Sequence, residues 1–500
     1  MKTVVILMDT LNRHMLRCYN PDAKTITPGI DRLAERSTIF DNHFIGSAPC
    51  MPARRDIFTG RLNFLERGWG PIEPYDVTLP ELLRKNGVFA HMITDHSHYV
   101  EIGGEGYLQQ FDTWDFHRGQ ETDVWASRVA EPDNIPDEYY GRIGRQYQCN
   151  RMRFETDEDY PTPKTFAAAV DWLKDNEGAD NFFLMVDAFD PHEPFDATQE
   201  FIDLYPDSYA GPVYEWPNYA RIGDEPPEAV EHLRNLYRAT LTMADKWLSK
   251  LLDEFDRQKL WEDTLVIFTS DHGHMLGEHG VTGKNIFHAW NEMSHIPLLV
   301  HLPGDNGSGT RCGAVTQNID LMPTLLEYCG ITELPPETPP FHGKSWMPLL
   351  ENRSEKVRDY AIYGWHGKPV NITDGRYTYF RAAKDEANSP LYAYMAMLTT
   401  YPFYMGRGMS PEILTTGHYL PHVSMPVYRL DMAALMKYMP PFMRDHSLVA
   451  DSLLFDLEKD YAQEYPLEDS GLEQRMVQAL IQSMKEHDAP IEQFERLGLN

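Results

Sequence analysis

The chain has 500 residues, of which 42% are hydrophobic and 24% charged, with a formal net charge of −31. Such a length can bury a large core, and the balance is that of an ordinary globular protein. The acidity excludes nucleic acid as a partner, because phosphate contacts need a basic face, and it obliges any anionic ligand to find a local basic pocket inside a repelling field. No apolar run is long enough to span a bilayer, so no membrane partner is expected. The opening MKTVVILMDT is cut off by Asp9 and reads as a buried strand rather than a leader, which places the chain in the cytoplasm. Five scattered cysteines, Cys18, Cys50, Cys149, Cys312 and Cys329, fit the free thiols of a reducing compartment.

In chain order, short apolar runs end abruptly in polar residues. Residues 3–8 run into Asp9, residues 88–94 into Asp95 and His96, residues 182–186 into Asp187, and residues 264–269 into Ser270, Asp271 and His272; residues 296–300 form a further run. Continuous apolar runs of this length suit strands buried on both faces of a parallel sheet. Helical patterns lie between them: one opened by Thr27 and Pro28, then 78–87, 165–176, about 226–256 and 320–330. The alternation predicts an α/β protein, a large doubly wound, mostly parallel sheet between helices. Ligands of such sheets sit at the carboxyl ends of strands, where Asp9, Asp95, Asp271 and His272 would gather. A catalytic domain over residues 1–370 is followed by a smaller α+β domain over 371–500. The latter holds a hairpin at the Asp374-Gly375 turn, a Met/Tyr-rich insertion at 386–445 and a terminal helix near 470–487.

The segment CMPARRDIFTG at 50–60 predicts a short helix, with Pro52 in its first turn and Gly60 at its end. Cys50 then stands at the helix N-terminus, where free N–H groups favour negative charge, and Arg54 shares its face. A thiolate nucleophile would need a histidine base. A phosphatase loop of the Cys-x5-Arg type would need arginine at position 56, which is aspartate.

The motif Cys-x-Pro-x-Arg resembles the recognition core at which the type I sulfatases, of the alkaline-phosphatase superfamily, have cysteine oxidised to formylglycine. The resemblance runs along most of the chain. VILMDTLNRHMLRCYN is similar to the family's metal-binding first strand, and TPGIDRLAERSTIFDNHF followed by APCMPARRDIFTGR matches its order and spacing. FTSDHGHMLGEHGVTGKNIF resembles the second signature, DPHEPF the Pro-His-x-Pro element, and LLFDLEKDYAQEYPL the closing one.

The resemblance implies a sulfuric ester hydrolase. A divalent cation, Ca2+ foremost with Mg2+ or Mn2+ as alternatives, would be held by Asp9, Thr10, Asp271, His272 and the modified side chain of Cys50. A formylglycine-generating enzyme would mature Cys50, whose hydrated aldehyde would attack sulfur. Arg54 would offset charge there, while Lys284 and His192 would contact the sulfate and the leaving oxygen, with His192 as general acid. The family's Gly-Lys-x-His is absent after residue 94; His96 and His98 are the nearest substitutes and are carried as substrate contacts. His274, His279 and His288 are weaker candidates of the same kind, and Trp69, Trp114, Trp125 and Trp290 could stack on a sugar ring. The acidic surface favours a small sulfated substrate, and a homo-oligomer is compatible with the chain. Two other readings stay open: a phosphonate monoester or phosphodiester hydrolase of the same superfamily, and a non-catalytic protein that binds sulfated ligands.

Overall fold

The computed structural model describes residues 1–284, 288–405, 410–435 and 451–499. Among these, an eight-stranded sheet has the order Arg311–Gln317, Thr38–Phe44, Leu298–His301, Thr264–Thr269, Lys2–Met8, Phe182–Ala188, Phe89–Thr94, Thr113–Phe116. Leu298–His301 runs antiparallel to both neighbours, and the other pairings are parallel. The sheet is the mostly parallel one that the apolar runs predict. Three of its strands, Thr38–Phe44, Thr113–Phe116 and Arg311–Gln317, have no such run to announce them.

The central strand shows why its sequence is apolar throughout. Val4, Ile6 and Met8 pack into one layer with Phe166, Leu233 and Leu248 of the Pro161–Asp175 and Pro227–Gln258 helices. Val5 and Leu7 pack into the opposite layer with Met51, Ile57, Leu82 and Leu325 of the Cys50–Thr59, Leu79–Lys85 and Leu321–Tyr328 helices. Each such side chain, fully withdrawn from water, stabilises the fold by about 1.5–3 kcal/mol. The Pro28–Glu35 helix forms as its Thr-Pro start predicts, but not through the threonine. The Thr27 hydroxyl caps nothing, and Asp245 of the long helix accepts instead from Gly29 N at 2.8 Å and Ile30 N at 2.7 Å. A helix start read as local is closed by a residue more than 200 positions away.

A second sheet has the order Leu453–Asp456, Tyr377–Arg381, Val370–Thr373, Ala361–Trp365, Ser47–Ala48. It draws strands from both sides of position 370. Its inner edge pairs Gly364 with Ser47 and Trp365 with Ala48, in parallel, directly before the Cys50 helix. The predicted hairpin is present, turning at Gly375 with φ of 90°, and the terminal helix spans Ser470–Glu486. Parts of the Met/Tyr-rich stretch, residues 406–409 and 436–445, lie outside the described residues. All five cysteines are free thiols. Among the described residues no helix is long and apolar enough to cross a membrane.

Candidate active site

Asp9, Asp187 and the Asp271-His272 pair follow or close three adjacent parallel strands, so the sheet itself brings them together. The Cys50–Thr59 helix closes the group from one side. It is not the surface helix that its arginines suggest, since all ten of its residues are buried. Gly60 ends it in the left-handed region at φ of 65°, as its position predicts. Asp56 accepts from Ser47 Oγ at 2.8 Å and from Ser47 N and Asn63 Nδ2, which ties both ends of the segment down. Arg55 donates to Asn63 Oδ1, Gly68 O and Gly70 O, at 3.0, 3.1 and 2.7 Å, and so pins the following loop.

Arg54 is 0% exposed and serves three carboxylates. It grips Asp187 through two bonds of 2.9 and 2.7 Å, donates to Asp271 Oδ2 at 2.7 Å, and lies 3.0 Å from Asp9 Oδ2 without hydrogen-bond alignment. Tyr99 OH adds a 2.6 Å bond to Asp187. Asp187 ends an apolar run just as Asp9 does; that shared pattern is the sequence signal for its place here.

Donor atoms of Asp9, Cys50, Asp271 and His272 lie within 4.8 Å of one another, all buried. His272 Nδ1 donates to Gly273 O at 2.8 Å, so its Nε2 lone pair faces inward, 3.2 Å from Cys50 Sγ. The buried Asp9 Oδ2 has no aligned donor. Two carboxylates, one of them with an unsatisfied oxygen, and one imidazole nitrogen form a donor set that fits a divalent cation. Thr10, with φ of 62°, donates its hydroxyl to Asp9 Oδ1 at 2.6 Å and accepts from Lys284 Nζ at 3.1 Å. Lys284 also lies 3.7 Å from Cys50 Sγ. Burial, with Asp9 beside it, pushes the Cys50 thiol well above its usual range. The glycine of Asp-His-Gly has a steric reason, since a Cβ at Gly273 would lie 1.8 Å from Glu292 O.

The histidines divide. His96 is fully buried, with neither ring nitrogen hydrogen-bonded and Nε2 3.7 Å from Asp9 Oδ2. His98 turns toward two carboxylates, Glu101 Oε2 at 2.9 Å and Glu121 Oε2 at 3.4 Å. Burial opposes its protonation, but the two glutamates outweigh it and raise its pKa. Trp69 and Tyr401 pack on its ring, with centroids 5.0 and 4.9 Å away. His192 stacks on Phe189, and its Nδ1 donates to Glu193 O at 2.6 Å. His274 approaches Glu193, whereas His279 and His288 stack on Trp290 and Phe380 as packing. Trp125 packs on Phe154, and Trp114 lies on the edge strand, 42% exposed. Glu193 and Tyr219, which sequence reasoning did not single out, stand beside Lys284.

The sulfatase family profile matches residues 2–331. The chain belongs to the sulfatase family. It is 27% identical over 418 residues to a choline-sulfatase of Rhizobium meliloti, covering 76% of this chain and 78% of that protein. It is 25% identical over 400 residues to human iduronate 2-sulfatase, covering 68% and 70%. Its fold is similar to that of a phosphonate monoester hydrolase of Agrobacterium radiobacter, at TM-score 0.68 and 19% identity, covering 97% and 96% of the two chains. A structure solved in complex with its substrate D-glucosamine-2-N,6-O-disulfate aligns at TM-score 0.65 and 17% identity, covering 97% and 98%.

Proposed function

We propose that this sulfatase hydrolyses a small sulfate monoester at the group of residues around Cys50. The observation that carries the reading is the buried group of Asp9, Cys50, Asp271 and His272, with Arg54 and Lys284 as its cations. When bound, a divalent cation, Ca2+ by its oxygen-rich donors, supplies Lewis acidity, and formylglycine at position 50 supplies a hydrated aldehyde as nucleophile. Arg54 keeps Asp187 and Asp271 in place and offsets their charge. Lys284 draws in the sulfuryl oxygens and neutralises the charge that builds on them. The Nδ1 bond of His192 leaves Nε2 as its nitrogen for proton transfer to the leaving oxygen. Cys50 is 1% exposed, so its oxidation by a formylglycine-generating enzyme belongs before folding is complete.

The phosphonate monoester hydrolase neighbour is a superfamily relative by fold, and no residue contact here favours phosphorus over sulfur. The test is expression with a formylglycine-generating enzyme, mass spectrometry of the Cys50 peptide, and measurement of sulfate release from small sulfate monoesters beside phosphodiesters. The expected result is a peptide carrying formylglycine and sulfate release that chelators suppress. An unmodified thiol, or phosphodiesters preferred by orders of magnitude, would sink the reading.

A further inference from the structure

The Pro-His-x-Pro element leaves its third position open, and here that position is Glu193. Its side chain is 0% exposed, a costly place for a carboxylate unless cations or donors surround it. They do. Oε2 accepts no aligned hydrogen bond, but it lies 3.5 Å from His192 Nδ1, 3.4 Å from His274 Nε2 and 3.9 Å from Lys284 Nζ. Oε1 accepts from Tyr219 OH and lies 3.9 Å from Arg142 Nη2. Arg142 is itself braced by the rings of Tyr219 and Trp216, at 4.6 and 5.0 Å. Burial alone would raise the pKa of Glu193, but the facing histidines and Lys284 hold it well below the usual carboxylate range.

The two residues that Glu193 supports are those that act on the ester. His192 and Lys284 come from separate segments, and Glu193 stands between them. The backbone carbonyl of Glu193 fixes the His192 tautomer, and the carboxylate 3.5 Å from the same nitrogen stabilises the imidazolium by its charge. Burial drives His192 down to about 3, and the carboxylate of Glu193 is the largest influence opposing that. Resting on the hydrolase reading above, we propose that Glu193 is a positioning residue that supports His192 as the proton donor to the departing oxygen. As the bond from sulfur to that oxygen broke, the leaving oxygen would keep the electron pair and take the Nε2 proton of the His192 imidazolium, while the proton of the attacking hydroxyl would pass to solvent. The imidazole is left neutral, and Glu193 stays a carboxylate throughout.

The test exploits leaving groups. A nitrophenolate departs without a proton, whereas a simple alkoxide needs one. Glu193→Gln keeps the shape and removes the charge. The matured, metal-loaded variant is expected to lose about 100-fold in kcat on an alkyl sulfate but less than about fivefold on p-nitrophenyl sulfate, the size of a general-acid contribution. Placed in a His192→Ala background, the same change should add no further discrimination between the two esters, because the donor it supports is gone. Glu193→Asp, which retains the charge, should recover part of the alkyl sulfate rate. Equal losses on both esters, or added discrimination without His192, would overturn the role of Glu193 alone. A wild-type protein that releases sulfate from neither ester would instead overturn the hydrolase reading on which it rests.

Discussion

The floor of the site and its outer wall are built on different principles. The floor consists of Asp9, Asp187 and Asp271, set at the ends of adjacent parallel strands, and of Arg54 on the Cys50–Thr59 helix, all 0% exposed. The sheet register dictates their spacing, and each carboxylate is bonded or faces a cation. The wall near His98 comes from four segments: Trp69 after the Cys50 helix, Glu101 and Glu121 from two loops, and Tyr401 from the distal region. Its contacts are ring packing and single ion pairs. The floor therefore has little freedom to change without loss of the fold, whereas the wall can vary while the strands stay in place. In the proposed reaction, chemistry falls to the first and discrimination among substrates to the second.

Replacing Arg54 tests the floor most severely. Arg54→Ala leaves three buried carboxylates without their shared cation, and the expected cost is about 3–5 kcal/mol of stability together with most of the activity. Urea unfolding at pH 7 measures it, and a cost near zero would mean that the floor is not held by charge. A seam between floor and distal region gives a smaller effect. Glu292 is buried beside the Asn291 contacts to Gln463 Oε1 and Tyr461 O, at 2.8 and 2.6 Å. Burial, with Glu278 adding to it, pushes Glu292 up to about 8. A carboxyl raised in this way binds its proton more tightly in the folded state. Its stabilising effect is full below the ordinary value of 4.5 and is lost as pH rises through about 8. Glu292→Gln cannot ionise, so it should match the wild type at pH 5 and exceed it at pH 9, by a few kcal/mol at most. Thermal melts at the two pH values decide the matter, and a gap that does not depend on pH would refute it. The wall gives the smallest effect: Tyr401→Ala should raise KM for its substrate by about threefold to tenfold, with kcat and Tm almost unchanged. A kcat loss as large as that of a floor variant would erase the distinction between the two regions.

The strands of the floor are legible in the sequence because burial on both faces demands unbroken apolar runs, and a polar residue at the end of such a run marks the carboxyl edge. That logic reaches Asp9, Asp271 and His272 directly and applies equally to Asp187. It misses Thr38–Phe44, in which Asp41 and Asn42 are half-buried and interrupt the pattern. It also misses the cap of the Pro28–Glu35 helix, since Asp245 arrives through tertiary packing. His98 has a strand-end position like His96, yet its ring turns to Glu101 and Glu121, and no local pattern announces those partners.

Local chemistry along the chain determined the parallel α/β class and the helix that begins at Cys50, while the resemblance of its motifs to the sulfatases pointed to the residues proposed to bind a cation. Apolar periodicity, prolines and glycines act over a few residues, and these features need nothing more. Only the tertiary structure decided that Arg54 is shared among three carboxylates, that Arg55 pins a loop, that Glu193 stands between His192 and Lys284, and that Tyr401 reaches the wall. Each of these depends on side chains meeting across large separations in sequence, where the strength of a contact comes from burial and mutual placement rather than from any pattern a single segment carries.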